Sequence, residues 1–343
     1  MRRGWCASLV FILAACGGGG GGDPQVPVAP APIVTGANSV EEVLSDGVGR
    51  GVDGIWVYID DGTATSTKVA GVRSRATLAP GEANDLFKIA SISKLFIAVS
   101  TVKLVEAGLL GINDSLAMWL PIEAARIDNA DDITVRQLLQ HRSGVPDFDS
   151  QTGFSWLRPH TDEDRLLQLI YDKAADFEPN ERYEYSNTNY LLLGRILNAA
   201  LGYHHHDFVQ NNILSPLGMT NTYSLLSDVD PGLLARGYWD DVDRTTQDYV
   251  IPGGSMVSTA ADTGIFMRAL ARGDLLTDRE RALFSSMFAG YAHSGWLPGF
   301  QSVARYYADM DTVIVQLINT TGGSSEQVAQ DVQANLLEFL RRD

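Results

Sequence analysis

Thiols are almost missing from this 343-residue chain, whose two cysteines, Cys6 and Cys16, both fall within the first sixteen residues. The remainder can form no disulfide and no cysteine-ligated metal site. Lysine is nearly as scarce: Lys68, Lys88, Lys94, Lys103 and Lys173 are the whole set, and none follows Lys173. Any chemistry that needs a lysine amine must come from these five positions. Positive charge is outnumbered too, with 26 basic against 42 acidic residues and a formal charge of −16. So acidic a protein is a poor electrostatic match for nucleic acid or anionic lipid, and no nucleic-acid partner is expected. The rest of the composition, 45% apolar and 20% charged, is that of an ordinary globular protein. Its length allows one large core or two subdomains sharing a cleft.

The first apolar run, Trp5 to Ala15, follows Arg2 and Arg3 and is too short to cross a bilayer. It reads as a signal peptide, residues 1–15. Its end, Leu13-Ala14-Ala15-Cys16, resembles the lipobox of bacterial lipoproteins. That resemblance implies cleavage before Cys16 and lipidation of this cysteine. Several acyl carbons would then tie the protein to a membrane at about 0.8 kcal/mol per buried CH₂. Gly17 stands where inner-membrane retention favours Asp, which points to the periplasmic face of the outer membrane. Residues 16–36, six glycines followed by a proline-rich stretch, read as a tether with a reach of about 50 Å.

Residues 37–343 carry the folded part. The spacing predicts a short helix at Val40–Leu44, a strand at Gly54–Asp60 and its hairpin partner at Thr65–Arg73, with Asp61-Gly62 at the turn. Ser91 to Ala107 is apolar nearly all round, the mark of a buried helix, with Ser91 as N-cap and Gly108 as stop. The middle reads as helical at Thr134–Gln140, Asp162–Tyr171, Asn189–Leu201 and Phe208–Leu214. Strands return at Phe300–Tyr307 and Thr312–Asn319, and Ser325–Arg341 closes the chain as an amphipathic helix. Strands at both ends of a helical middle predict an α/β fold with an inserted all-α subdomain. The α/β part would take about 37–110 and 285–343, and the helical part about 111–284. A cleft between them is the expected place for chemistry.

Three short motifs could supply that chemistry. In Ser91-Ile92-Ser93-Lys94, residues three apart share a helix face, so Lys94 can reach the Ser91 hydroxyl. Serine needs an adjacent base, and lysine becomes one once burial strips its charge. A helix start also offers backbone N–H groups and a positive dipole end to an oxyanion. Ser100-Thr101-Val102-Lys103 has the same spacing but lies two turns inside the helix, where no free N–H remains. In Tyr185-Ser186-Asn187 a phenol could relay protons, and an amide could bond both lysine and substrate. His293-Ser294-Gly295, followed by Trp296, could present polar groups along a strand edge.

These motifs in this order, with Phe87–Lys94, Leu138–Gly144, Pro216–Thr222 and Gly253–Thr259 around them, resemble the β-lactamase-related serine hydrolases. That group includes class C β-lactamases, DD-carboxypeptidases, D-aminopeptidases and esterases. The resemblance implies the β-lactamase/transpeptidase-like fold, with an antiparallel sheet flanked by helices. It also implies an acyl-enzyme on Ser91, proton transfer shared by Lys94 and Tyr185, and Asn187 orienting Lys94 and substrate. His293, Ser294 and Gly295 would meet the substrate, and the oxyanion hole would be the N–H groups of Ser91 and Trp296. No cofactor and no metal are expected. The expected partners are a small-molecule or peptide substrate, with peptidoglycan a candidate, and the membrane through the lipid anchor.

The third motif departs from many β-lactamases, which carry Lys in place of His293. Histidine is partly charged near pH 7 and anchors a β-lactam carboxylate less firmly. An ester or a D-Ala-type peptide is therefore preferred as substrate over a β-lactam. Other patterns carry less. Gly49-Arg50-Gly51-Val52-Asp53-Gly54 precedes a strand where a nucleotide loop would follow one. His204-His205-His206 reads as a solvated helix end, since consecutive helical residues point apart. His141 lacks the G-x-S-x-G elbow of an α/β-hydrolase triad. Trp156, Trp239, Tyr249 and Trp296 are core or cleft lining. In cells fed labelled palmitate, the parent chain is expected to take up label and Cys16→Ser to lose it; label retained by Cys16→Ser contradicts the lipobox reading.

Overall fold

The computed structural model describes residues 36–273 and 275–342, so the leader, Cys16 and nearly all of the tether lie outside the described residues. Strand β1 (Gly54–Asp60) has all seven residues buried, because both of its faces are covered. Ile55, Val57 and Ile59 join an apolar cluster with Val43, Leu44, Val328 and Val332 from helices α1 (Val40–Gly49) and α5 (Ser325–Leu340). Trp56 and Tyr58 point the other way, into the main core. The hairpin to β2 (Thr65–Gly71) turns at Gly62, whose φ is +83°. There Asp61 Oδ1 accepts from the Thr63 and Ala64 amides, both at 2.8 Å.

Three strands near the C-terminus complete the sheet: β3 (Ala292–Leu297), β4 (Phe300–Tyr307) and β5 (Thr312–Ile318). The order is β2-β1-β5-β4-β3, antiparallel throughout. Pairing of Ile55 with Ile318 and of Tyr58 with Val315 joins the two ends of the folded chain. The same two-sided alternation explains β5: Val313, Val315 and Leu317 face the main core, Ile314 and Ile318 the other cluster. Strand β3 is left at the sheet edge, where its backbone faces the site.

Two helices cover the main-core face. In α2 (Ser93–Glu106), Phe96 stacks on Phe266 of α4 (Ala260–Arg272) at 3.9 Å between ring centroids. Gly264 of α4 leaves room for the Tyr58 ring, which an added Cβ would meet at 2.2 Å. Arg268 fastens the same helix to β1 through Asp60, with Nε at 2.9 Å and Nη2 at 2.7 Å from its carboxylate. Within α2 the second Ser-x-x-Lys pair is occupied structurally. Ser100 bonds back to the Phe96 carbonyl, while Lys103 bonds the Leu275 carbonyl and pairs with Glu280.

The middle is mostly helical, including Val135–Leu139, Glu163–Gln168, α3 (Asn187–Leu201) and His205–Val209. Thr134 and Asp162 cap rather than enter the first two of these helices. Two expectations need revision. Helix α4 packs on the sheet, so residues 260–272 belong to the α/β part and not to the helical part expected for them. Four two-residue strands also interrupt the middle, among them Val257–Ser258, which pairs with Phe87–Lys88 just before the nucleophile turn. One core runs from Trp56 through Leu138 to Leu191, so the two parts share it.

Candidate active site

Phe87–Lys88 leads into a 3₁₀ turn at Ala90–Ile92, and α2 begins only at Ser93. Ser91 is therefore not the N-cap it was expected to be. Ala90 takes a left-handed φ of +49°, a conformation costing an alanine about 1–2 kcal/mol, and this bends the strand sharply into the helix. Ser93 does the fastening: its hydroxyl donates to the Ala90 carbonyl at 2.6 Å and accepts from the Met256 amide at 3.2 Å. The Ser91 hydroxyl is thus left free for other partners.

Those partners are Lys94 and Tyr185. Lys94 Nζ lies 3.1 Å from Ser91 Oγ, and Tyr185 donates its phenol proton to the same oxygen at 3.0 Å. Lys94 is 2% exposed and also donates to Asn187 Oδ1 at 2.9 Å and to the Gly253 carbonyl at 3.2 Å. Burial pushes its amine down to about 7, against the opposing pull of Asp147 and Asp149. The three contacts would serve an ammonium and a neutral amine equally. Two partners can only accept, which in the neutral form uses both N–H bonds of the NH₂ group and leaves its lone pair for the Ser91 hydroxyl. Burial raises the Tyr185 phenol above its ordinary value of 10.0, so near pH 7 it is a proton donor.

Asn187 opens α3, whose cap comes from outside the helix. Asp147 Oδ2 accepts from the Asn187 backbone amide at 2.9 Å, and Ser186 makes no side-chain cap. Asn187 Nδ2 donates to Asp147 at 3.3 Å and to Asp149 at 3.1 Å. The amide thus stands between two carboxylates and the lysine amine. Burial raises the pKa of both carboxylates, and the Asp149 charge adds to the effect on Asp147. His141, also at a left-handed φ of +54°, stacks on the Tyr185 ring at 4.4 Å and accepts the Ser186 amide on Nδ1 at 3.2 Å. It braces the tyrosine, a use its sequence context does not suggest. Asp147, Asp149, His141 and Gly253 are the site residues that sequence reasoning misses. His141 and Gly253 lie inside stretches that resemble the family, whereas nothing in sequence separates Asp147 and Asp149 from the other forty acidic residues.

Strand β3 approaches from the opposite side. Gly295 lies so close to the nucleophile turn that a Cβ there would meet the Ile89 carbonyl at 2.4 Å and Ala90 Cβ at 2.9 Å. His293 Nδ1 faces the Ser294 carbonyl at 2.6 Å; a carbonyl only accepts, so Nδ1 carries the proton and Nε2 keeps its lone pair. Burial and the nearby Lys94 push this histidine down to about 4, so it is neutral at pH 7. The Trp296 indole turns toward α5, donating to Glu326 Oε1 at 3.0 Å and meeting Trp239 edge-on. Trp156 packs edge-on against Phe154 and Tyr249, beside Asp149. A serine flanked by a neutral amine and a phenol, with a strand edge opposite, can add to a carbonyl and later release the acyl group.

Fold and site together define the β-lactamase/transpeptidase-like class. The Beta-lactamase family model matches residues 40–290, and the chain belongs to that family, whose members are serine hydrolases. It is 29% identical over 291 residues to penicillin-binding protein 4* of Bacillus subtilis (strain 168), covering 70% of this chain and 62% of that one. Similarity to penicillin-binding protein 4 of Amycolatopsis lactamdurans is 26% over 235 residues, 64% of this chain and 60% of that one. The chain therefore spans about three fifths of the length of these curated relatives. Among solved structures, D-amino acid amidase from Ochrobactrum anthropi SV3 superposes with a TM-score of 0.75 at 26% identity, over 89% of this chain and 100% of that one. EstCE1, a hydrolase with promiscuous acyltransferase activity, gives 0.69 at 20% identity over 85% and 97%, a likeness of fold alone.

Gly295→Ala should displace β3 from the nucleophile turn. Because misplacement by about 1 Å can cost 10²-fold in rate, the variant is expected to remain folded by circular dichroism yet label with a fluorophosphonate about 10²-fold more slowly. An unchanged labelling rate would show that the close approach is not needed.

Proposed function

We propose that this chain hydrolyses an amide or ester through an acyl-enzyme on Ser91. One observation carries the reading: Ser91 Oγ stands 3.1 Å from a buried lysine amine and 3.0 Å from a phenol. Lys94 takes the hydroxyl proton as Oγ adds to the substrate carbonyl. The backbone N–H groups of Ser91 and Trp296 hold the oxyanion. Tyr185 protonates the leaving group as the bond to carbon breaks, and the charged Lys94 restores the phenol proton. Water then adds to the acyl-enzyme, gives a proton to the Lys94–Tyr185 pair, and that proton returns to Ser91 as the acid leaves. Asn187 keeps Lys94 aimed, and His293, Ser294 and Gly295 line the substrate's other side.

D-amino-acid amides and D-Ala-type peptides lead as substrates, supported by the likeness to D-amino acid amidase and to penicillin-binding proteins. Esters are the second reading, favoured by the half-buried Trp156 ring beside Asp149, which suits an apolar group. A β-lactam comes last, because a neutral His293 offers its carboxylate no charge. The Leu13-Ala14-Ala15-Cys16 sequence supports action at the bacterial cell envelope from a lipid anchor, where peptidoglycan is at hand.

Fluorophosphonate labelling tests the mechanism. A lysine base must be neutral, so labelling is expected to fall as pH drops through about 7 and to level off above it. Ser91→Ala and Lys94→Arg should not label, since arginine stays charged, whereas Ser100→Ala should label normally. Full labelling of Lys94→Arg, or a rate flat across this range, would refute the lysine base. A folded parent that never labels would indicate a non-catalytic binding protein. For substrate, D-phenylalanine amide, a D-Ala-D-Ala peptide, a p-nitrophenyl ester and nitrocefin are compared side by side. Nitrocefin is expected to be slowest, and nitrocefin turning over fastest would reverse this order of preference.

A further inference from the structure

His204, His205 and His206 were expected to point apart because consecutive residues on a helix do. The structure differs because His204 is not helical. It is the N-cap, with extended backbone at φ −70° and ψ 133°, and its ring folds back so that Nδ1 accepts the His206 amide at 3.3 Å. The three rings gather with centroids 4.2 to 4.6 Å apart, and one ligand nitrogen from each lies within 4.8 Å of the others.

The middle ring is not a solvated one. His205 is 1% exposed, and its Nδ1 lies 2.9 Å from Asn198 Oδ1, on helix α3. That amide oxygen also accepts the His205 backbone N–H at 2.6 Å. An amide oxygen only accepts, so Nδ1 carries the proton and Nε2 presents a lone pair in a fixed direction. A histidine whose other nitrogen is bonded to a carbonyl is the usual arrangement at a metal ligand, where the outer bond sets tautomer and ring orientation. His204 is exposed and His206 half-buried, so both rings have room to turn. Metal–nitrogen bonds of about 2.0–2.1 Å need the nitrogens closer than they now lie, and His204 would release its cap bond or ligate through Nε2.

We propose that His204, His205 and His206 bind one divalent transition-metal ion of the zinc class through three imidazole nitrogens, with water completing the coordination. Imidazole suits zinc, copper and nickel, while magnesium and calcium prefer oxygen donors. The site is separate from the acylation machinery but backs onto it. His205 and His206 border a small cavity together with Ser93, Gly253 and Met256. Ser93 pins the nucleophile turn, and the Gly253 carbonyl accepts from Lys94.

The test uses the full chain without a polyhistidine tag. Zinc binding is followed by titration calorimetry, and cobalt by its visible absorption. The parent is expected to bind one ion per chain. The surface double variant His204→Ala/His206→Ala should keep its circular dichroism spectrum and lose binding by more than about 100-fold, and Asn198→Ala should weaken it about 10–100-fold. A parent chain that takes up neither metal, or a folded double variant that binds as tightly as the parent, overturns the proposal. So does binding of magnesium in preference to zinc.

Discussion

The site depends on one amine kept out of water. Holding Lys94 at about 7 instead of 10.5 corresponds to roughly 5 kcal/mol of lost preference for the charged form. The cost is tolerable because every polar contact of the amine is filled: the Asn187 amide oxygen, the Gly253 carbonyl and the Ser91 hydroxyl. Asp147 and Asp149 pull the other way, favouring the charged amine. The Asn187 amide stands between them and the lysine, donating to the carboxylates and accepting from the amine. The lysine is thereby balanced near the working pH rather than driven far below it.

Much of the fold can be understood as holding those partners in place. The α2–α4 stack of Phe96 on Phe266 buries the helix that carries Lys94. Ser93 ties the start of that helix to Ala90 and to the 253–256 segment that provides the Gly253 carbonyl. Asp147 caps α3 at Asn187, so the residue that aims the lysine is also fixed by its own backbone. His141 stacks on Tyr185 and takes the next amide along, which fixes the phenol relative to the serine. The elements come from separate stretches of chain, and the shared core makes their relative positions rigid.

That division explains what is legible in the sequence. β1 is visible as a run of β-branched and aromatic residues, and its limits coincide with the expected ones. α2 is visible from its apolar surround, since helix period and burial are written locally. The pairing of Ser91 with Lys94 follows from helical spacing, although the helix starts two residues later than expected and a 3₁₀ turn bridges the gap. Contacts between distant segments are hidden. Asp147 capping Asn187 is a partnership across forty residues, and although Asn187 stands in a recognisable motif, no local pattern marks Asp147. The histidine run misleads for the opposite reason, because a local rule about helical directions does not hold for His204, a residue outside the helix.

Lysine scarcity makes the state of Lys94 directly measurable. With lysine labelled at Cε, the folded chain gives five side-chain carbon resonances, and Lys94→Arg identifies the one of interest. This resonance is expected to titrate near pH 7 in the free enzyme. Titration near the ordinary value of 10.5 would contradict the lysine base, since a charged amine has no lone pair for the serine proton.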